Sequence, residues 1–281
     1  MASTLGFALA GVSGMSAARA DELVVPKAAP AAEAEAAPPP PPANWMNYNA
    51  RPLTLSKGML GIHGDIVTDV SAGHGGKPVW LTPNVYYGVT DTFSIGIAEN
   101  VDAEFFPIGG GLCLGGKYCA KVLNNTALDL LLSVARSTTS EIAIHAGADV
   151  NGFSPFSLDV RGGALMKFSL TGPLALMADP SVSVWLLNPG PGKQEFVSVP
   201  LRLGYQVVEQ VNVGLATGMN AYVNNFSNSL AIPVGLGAFL TPNEKLDVGL
   251  NLTLSNVGGH HDPGFNALSN RTIAFTVNYR L

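Results

Sequence analysis

The sequence predicts an all-β fold, a single transmembrane antiparallel β-barrel of about 12 strands with short turns at one end and longer loops at the other. Three observations lead there. Of the 281 residues, 47% are hydrophobic and 12% charged, about half the charge content of an ordinary soluble domain. No apolar run after residue 20 reaches the about 18–20 residues that a membrane helix needs; the nearest, residues 127–135, is interrupted by Asp129 and Ser133. From about residue 52 onward, apolar residues instead recur at every second position, which gives a strand one apolar face. Many of these runs reach the about 9–11 residues that cross a bilayer at a tilt, longer than an ordinary strand of about 5–6 residues.

The elements follow in chain order. Residues 1–20 read as a secretory signal: a short apolar stretch at 5–12, then Ala18-Arg19-Ala20 as a small-x-small cleavage site before Asp21. The first positions lack the Lys or Arg usual in such signals. Residues 21–51 read as an Ala/Pro-rich periplasmic linker. Its residues 38–42 are five consecutive prolines, which hold an extended polyproline conformation and pack no core. Two readings stand open: an inert spacer, or a docking peptide for a periplasmic or cell-wall partner.

The barrel occupies residues 52–281. Its expected strands are 53–67, 79–89, 92–104, 126–136, 141–151, 156–170, 174–187, 195–207, 210–223, 229–240, 245–257 and 271–281. Leu128, Leu130, Leu132 and Val134 show the alternation, as do Leu201, Leu203, Tyr205 and Val207, and Ile273, Phe275, Val277 and Tyr279. Short connections at Thr90-Asp91, 137–140, 171–173, Val208-Glu209 and 241–244 take turns with longer ones at 68–78, 105–125, 188–194, 224–228 and 258–270. The connection at 152–155 is a short exception. This asymmetry is characteristic of outer-membrane barrels. Leu53 and Leu55 are out of phase with Leu60 and Ile62, so a bulge is expected near Lys57-Gly58.

The formal net charge is −5, or −6 without Arg19. With no cluster of Lys and Arg to neutralise phosphates, no nucleic-acid partner is expected.

Val85-Tyr-Tyr-Gly-Val-Thr-Asp-Thr-Phe-Ser-Ile-Gly-Ile97 is a strand–turn–strand unit, with looser echoes at 203–214 and 237–249. It resembles Gram-negative outer-membrane β-barrel proteins, and in particular the outer-membrane channels named after the meta-pathway of phenol degradation. The resemblance covers about residues 52–281. It implies location in the Gram-negative outer membrane, assembly by the barrel-assembly machinery, and passage of small, often apolar or aromatic solutes. It brings no catalytic residue. The chain ends Tyr279-Arg280-Leu281, where such barrels usually end in Phe or Trp.

In a barrel, the residues between the apolar ones face the lumen. That set holds Asp129, Glu141, His145, Asp149, Asp159, Arg161, Lys167, Arg202, Asp247 and Arg280 as candidate constriction residues. Charges of both signs predict no strong ion selectivity. Either they form a field across an open channel, or they pair and fill a closed barrel that serves as an anchor or displays its loops. Twelve strands enclose more space than side chains alone fill, which favours the channel. An autotransporter-type translocator is a third reading; the prolines at 38–42 cannot form the helix such a protein threads through its pore.

No enzyme, cofactor or metal is expected. His260-His261-Asp262 sit in a Gly/Pro/Asn-rich loop with His74 as the one evident further donor, short of a supported zinc site. The apolar strand faces carry no His, which argues against a lipase triad at membrane level. Cys113 and Cys119 fit a small loop disulfide in an exported chain. The expected partners are therefore outer-membrane lipid, the assembly machinery and a small solute.

Overall fold

The computed structural model describes residues 44–281, except residues 72, 102, 103, 108–110, 115–118, 120, 121, 124, 190–193 and 261–269. The expected signal, most of the linker, and His261 and Asp262 lie outside the described residues.

The strands are β1 (Leu60–Asp69), β2 (Val79–Thr90), β3 (Phe93–Ala98), β4 (Leu112–Cys113), β5 (Thr126–Arg136), β6 (Ser140–Phe153), β7 (Phe156–Thr171), β8 (Leu174–Ala178), β9 (Ser181–Leu187), β10 (Glu195–Val208), β11 (Val211–Tyr222), β12 (Ala231–Asn243), β13 (Leu246–Gly259) and β14 (Arg271–Arg280). Each neighbour pair is antiparallel, and β1 pairs β14 from Gly61↔Arg280 to Asp69↔Thr272, which closes the barrel. β8 and β9 both lie between β7 and β10 and are halves of one strand. The interruption falls at Asp179-Pro180, where proline has no N–H for the ladder. β4 is a two-residue strand within a loop, paired to β2. The wall therefore has 12 strands.

The period-two pattern becomes two faces. Leu128, Leu130, Leu132 and Val134 are exposed on β5, Leu203, Tyr205 and Val207 on β10, and Ile273, Phe275 and Tyr279 on β14. Fully buried side chains are largely polar: Asp65, Thr82, Asn212, Thr241, Asp247, Thr253 and Thr276. This inverts the distribution of a water-soluble domain. A wide apolar exterior around a polar interior is stable where hydrocarbon is the outer solvent, because a closed barrel leaves no backbone group unpaired. No helix among the described residues is long and apolar enough to cross a membrane.

The two ends differ as the connection lengths require. Residues 91–92, 137–139, 172–173, 209–210 and 244–245 make tight turns at one end, here called the turn end. At the loop end, residues 154–155 between β6 and β7 are the short exception.

Two elements depart from the sequence reading. The first strand begins at Leu60, and Lys57-Gly58 forms a turn where a bulge was expected. Gly58 has φ 80°, a left-handed conformation that favours glycine. Leu53 and Leu55 are out of phase because they do not belong to the wall; residues 44–58 lie inside it. The third strand ends at Ala98, well short of 104. There the Asn84 side chain accepts from Glu99 N (2.8 Å) and Asn100 N (3.1 Å) and donates to Asn100 O (2.7 Å), which bends the chain off the wall.

Candidate functional site: an occupied lumen

The lumen is filled from both ends. At the turn end, residues 44–58 run inward, make a short 3-10 turn at Tyr48–Ala50, and return to the wall at Leu60. Asn47 caps the turn by accepting from Asn49 N (3.0 Å) and Ala50 N (3.2 Å), the local bonding for which Asn is favoured there. From the loop end, Phe105 and Phe106 reach in and form a small apolar cluster with Met177, Ala216, Leu53 and Leu165. Tyr48 Oη donates to Glu104, which joins the two inserted segments.

Arg51 ties the inserted segment to the wall. Its Nη1 and Nη2 donate to the two oxygens of Asp247 at 2.8 and 2.6 Å, Nη2 donates also to Thr241 Oγ1 at 2.9 Å, and Nε to Trp45 O at 2.9 Å. Asp247 receives a second fork from Arg280, at 2.7 and 3.1 Å. Lys167 Nζ donates to Arg51 O. The Tyr48 ring lies between two guanidinium groups, Arg51 at 4.5 Å and Arg202 at 4.6 Å, and meets Phe239 at 4.9 Å. Cation–π contacts of this kind contribute about 0.5–2 kcal/mol each.

Asn49 makes the complementary neutral anchor. Its Nδ2 donates to Pro173 O (2.8 Å) and Gly204 O (3.0 Å), and its Oδ1 accepts from Asn212 (3.0 Å). A Cβ on Gly204 would stand 2.6 Å from that Oδ1, so the glycine makes room for the contact. On the way back to the wall, Thr54 donates to Asp91 O (2.9 Å), and Lys57 N donates to the Asp91 carboxylate (2.9 Å). A Cβ on Gly88 would collide with the Ser56 carbonyl.

All ten charged positions singled out from the sequence are buried. Asp247 and Arg280 join Arg51 at the turn end. Glu141 accepts from Arg136 at 2.5 and 2.9 Å and lies 3.5 Å from Lys167. Higher up, Arg161 Nη2 donates to Asp129 at 2.7 Å, with Asp149 3.9 Å from its Nε, and His145 shares a 2.6 Å hydrogen bond with Asp179. Asp159 accepts from Asn151 at 3.1 Å, and Arg202 donates to Asn212 at 2.6 Å. A cavity of about 230 Å³ remains beside the inserted segment, lined among others by Tyr48, His63, Tyr86, Glu104, His145 and Arg161. That is room for several waters or one small molecule.

Outside the wall strands, Glu99 starts the inward-turning loop. Burial raises its carboxyl above the usual range, against the opposing bond that it accepts from Thr126. Cys113 and Cys119 are bonded in the same long loop. His74 hydrogen-bonds Asp69 at 2.5 Å, and His260 is exposed. No group of three or more metal-ligating side chains occurs among the described residues.

Residues missed in the sequence are those of 44–58, together with Glu104 and Asp179. The signals were there: Trp45, Tyr48 and Arg51 contrast with the Ala/Pro stretch before them, and Leu53 breaks the phase.

No protein-family model and no curated protein matches the chain. Among solved structures it is similar to the NanC porin, with a TM-score of 0.55 and 9% identity over 79% of this chain and 100% of that one. It is similar also to the KdgM porin, with a TM-score of 0.52 and 6% identity over 78% and 98% of the two chains. At these identities the likeness concerns the fold.

Proposed function

We propose that the chain is a Gram-negative outer-membrane channel for passive passage of small solutes, closed at rest by its own residues 44–58. In this reading residues 1–20 are the export signal, the barrel-assembly machinery folds the strands, and the turn end faces the periplasm. One observation carries it. What blocks the turn end of the lumen is a separate segment, residues 44–58, held by side-chain bonds, while the wall itself lines a wide polar interior. A wall built only for anchoring fills its interior with its own side chains, as eight-stranded barrels do.

Planar-bilayer conductance tests this. The intact chain is expected to give rare, brief steps. A chain lacking residues 44–56 is expected to give frequent or sustained ones. Folding of each is read from heat-modifiable mobility. A second reading, a closed barrel that presents loops or the Pro-rich linker, is favoured by the Arg161–Asp129 and Lys167–Glu141 pairs, which neutralise each other along the inner face of β5, β6 and β7. A folded, truncated chain that never conducts would establish that reading and refute the channel.

A further inference from the structure

Near the loop end, three strands bring aromatic rings onto the inner face. Phe196 of β10 and Tyr222 of β11 are direct cross-strand partners, and Trp185 of β9 lies beside them. Tyr222 is the middle ring, 5.2 Å from Phe196 and 6.1 Å from Trp185, with planes tilted by 55° and 51°. All three are half-buried.

The next inward-facing residues along this band are acids. Asp159 is the cross-strand partner of Trp185, and Asp149 is the partner of Asp159. Asp159 is 4% exposed and Asp149 8%. Among the described residues, the Asp159 carboxylate has no salt bridge within 4 Å; its hydrogen bond comes from the neutral Asn151 at 3.1 Å. The nearest cation to Asp149 is Arg161 at 3.9 Å, and that guanidinium is already bonded to Asp129 at 2.7 Å. Among the described residues, Arg51, Lys167, Arg202 and Arg280 lie toward the turn end with Glu141 and Asp247. The loop-end vestibule therefore carries, among the described residues, buried carboxylates beside aromatic faces.

We propose that this vestibule binds organic cations of the quaternary-ammonium type. The negative face of an aromatic ring attracts a cation, and a cation wrapped in methyl groups sheds little hydration to lie against it. The carboxylates supply the counter-charge without contact, in an interior where Coulomb interactions are stronger than in bulk water. A sodium or calcium ion would need several oxygen ligands at close range; the rings supply none, and no group of three or more metal-ligating side chains occurs among the described residues. Anions are repelled by Asp149 and Asp159. A neutral aromatic solute gains from the rings and nothing from the acids. As the first station of a transported solute, the site rests on the channel reading; as a binding site, it does not.

The test uses equilibrium binding, so it needs no conduction. The folded full chain in detergent is titrated with choline chloride at constant ionic strength, by calorimetry and tryptophan fluorescence. The comparison ligand is 3,3-dimethylbutan-1-ol, which has the same shape without the charge. Choline is expected to bind saturably and at least about tenfold more tightly than the alcohol. D159N and W185L, with folding checked by heat-modifiable mobility, are each expected to weaken choline about tenfold. Equal binding of the alcohol, no saturable choline binding, or a folded D159N with unchanged affinity would overturn the proposal. The ligand comparison decides the matter even if a variant does not fold. Any of these failures leaves the conductance result standing, and a non-conducting barrel that binds choline would refute the channel alone.

Discussion

Replacing Arg51 with Ala removes the latch on the inserted segment. The side chain makes a two-point bond to Asp247, one bond to Thr241, one to the Trp45 carbonyl and a ring contact with Tyr48. Asp247 keeps the Arg280 fork and its bond from Thr241 at 2.8 Å. No buried carboxylate is orphaned, so the cost falls below the about 3–5 kcal/mol of a broken buried pair. Charge-assisted bonds contribute about 1.5–3 kcal/mol, and the freed guanidinium site regains some hydration. A net loss of about 2 kcal/mol is expected, which raises the withdrawn population about thirtyfold. The assay is open probability in a planar bilayer. Arg51→Lys should fall between, because an ammonium cannot make the two-point bond. The barrel should still fold, since the bonds lost tie the segment rather than the wall. Equal open probability in the folded wild type and R51A would refute the latch. Sustained conductance by the wild type would refute closure by this segment.

Gly88→Ala places a Cβ against the Ser56 carbonyl; the return limb is displaced, and open probability should rise as in R51A. Asp129→Asn removes the negative charge from the 2.7 Å bond with Arg161, so the urea midpoint should fall by an amount equivalent to about 1–3 kcal/mol. For Glu99 the sign follows from its raised carboxyl: the fold favours the protonated form, that stability is full below the unfolded value of 4.5, and it is lost as pH rises through the folded value. Glu99→Gln should therefore raise the urea midpoint at pH 7 and leave it nearly unchanged at pH 4, which paired denaturation curves would check. Thiol labelling of the unreduced, denatured chain should find neither Cys113 nor Cys119 reactive; labelling of both would refute the bond between them.

The wall could be read from the sequence because it obeys local rules. Leu128, Leu130 and Leu132 alternate since each strand has one lipid-facing side, and the tight turns at Asp91 and Pro173 are short because antiparallel neighbours need little chain. The same alternation put Asp129, Arg161 and Asp247 on the inner face. It said nothing of their partners. Asp179 sits at a strand break, where periodicity carries no signal, and its bond to His145 spans strands distant in sequence. Residues 44–58 and 104–106 follow no period at all. Their positions are decided by contacts such as Arg51–Asp247, between residues 196 apart in the chain, and no local pattern encodes such a pair.

The inserted segment also bears on the order in which the molecule is made. Its two described limbs, at Trp45 and at Leu60, both lie at the turn end beside Arg280 and Leu281. The seam between β1 and β14 joins residues at opposite ends of the barrel sequence and can close only after the last strand is placed. Because the loop can slip in after that moment, ring closure and occupancy are separable steps. A barrel could thus be completed empty in the membrane, with its polar interior wet, and acquire its stopper from the turn end afterwards.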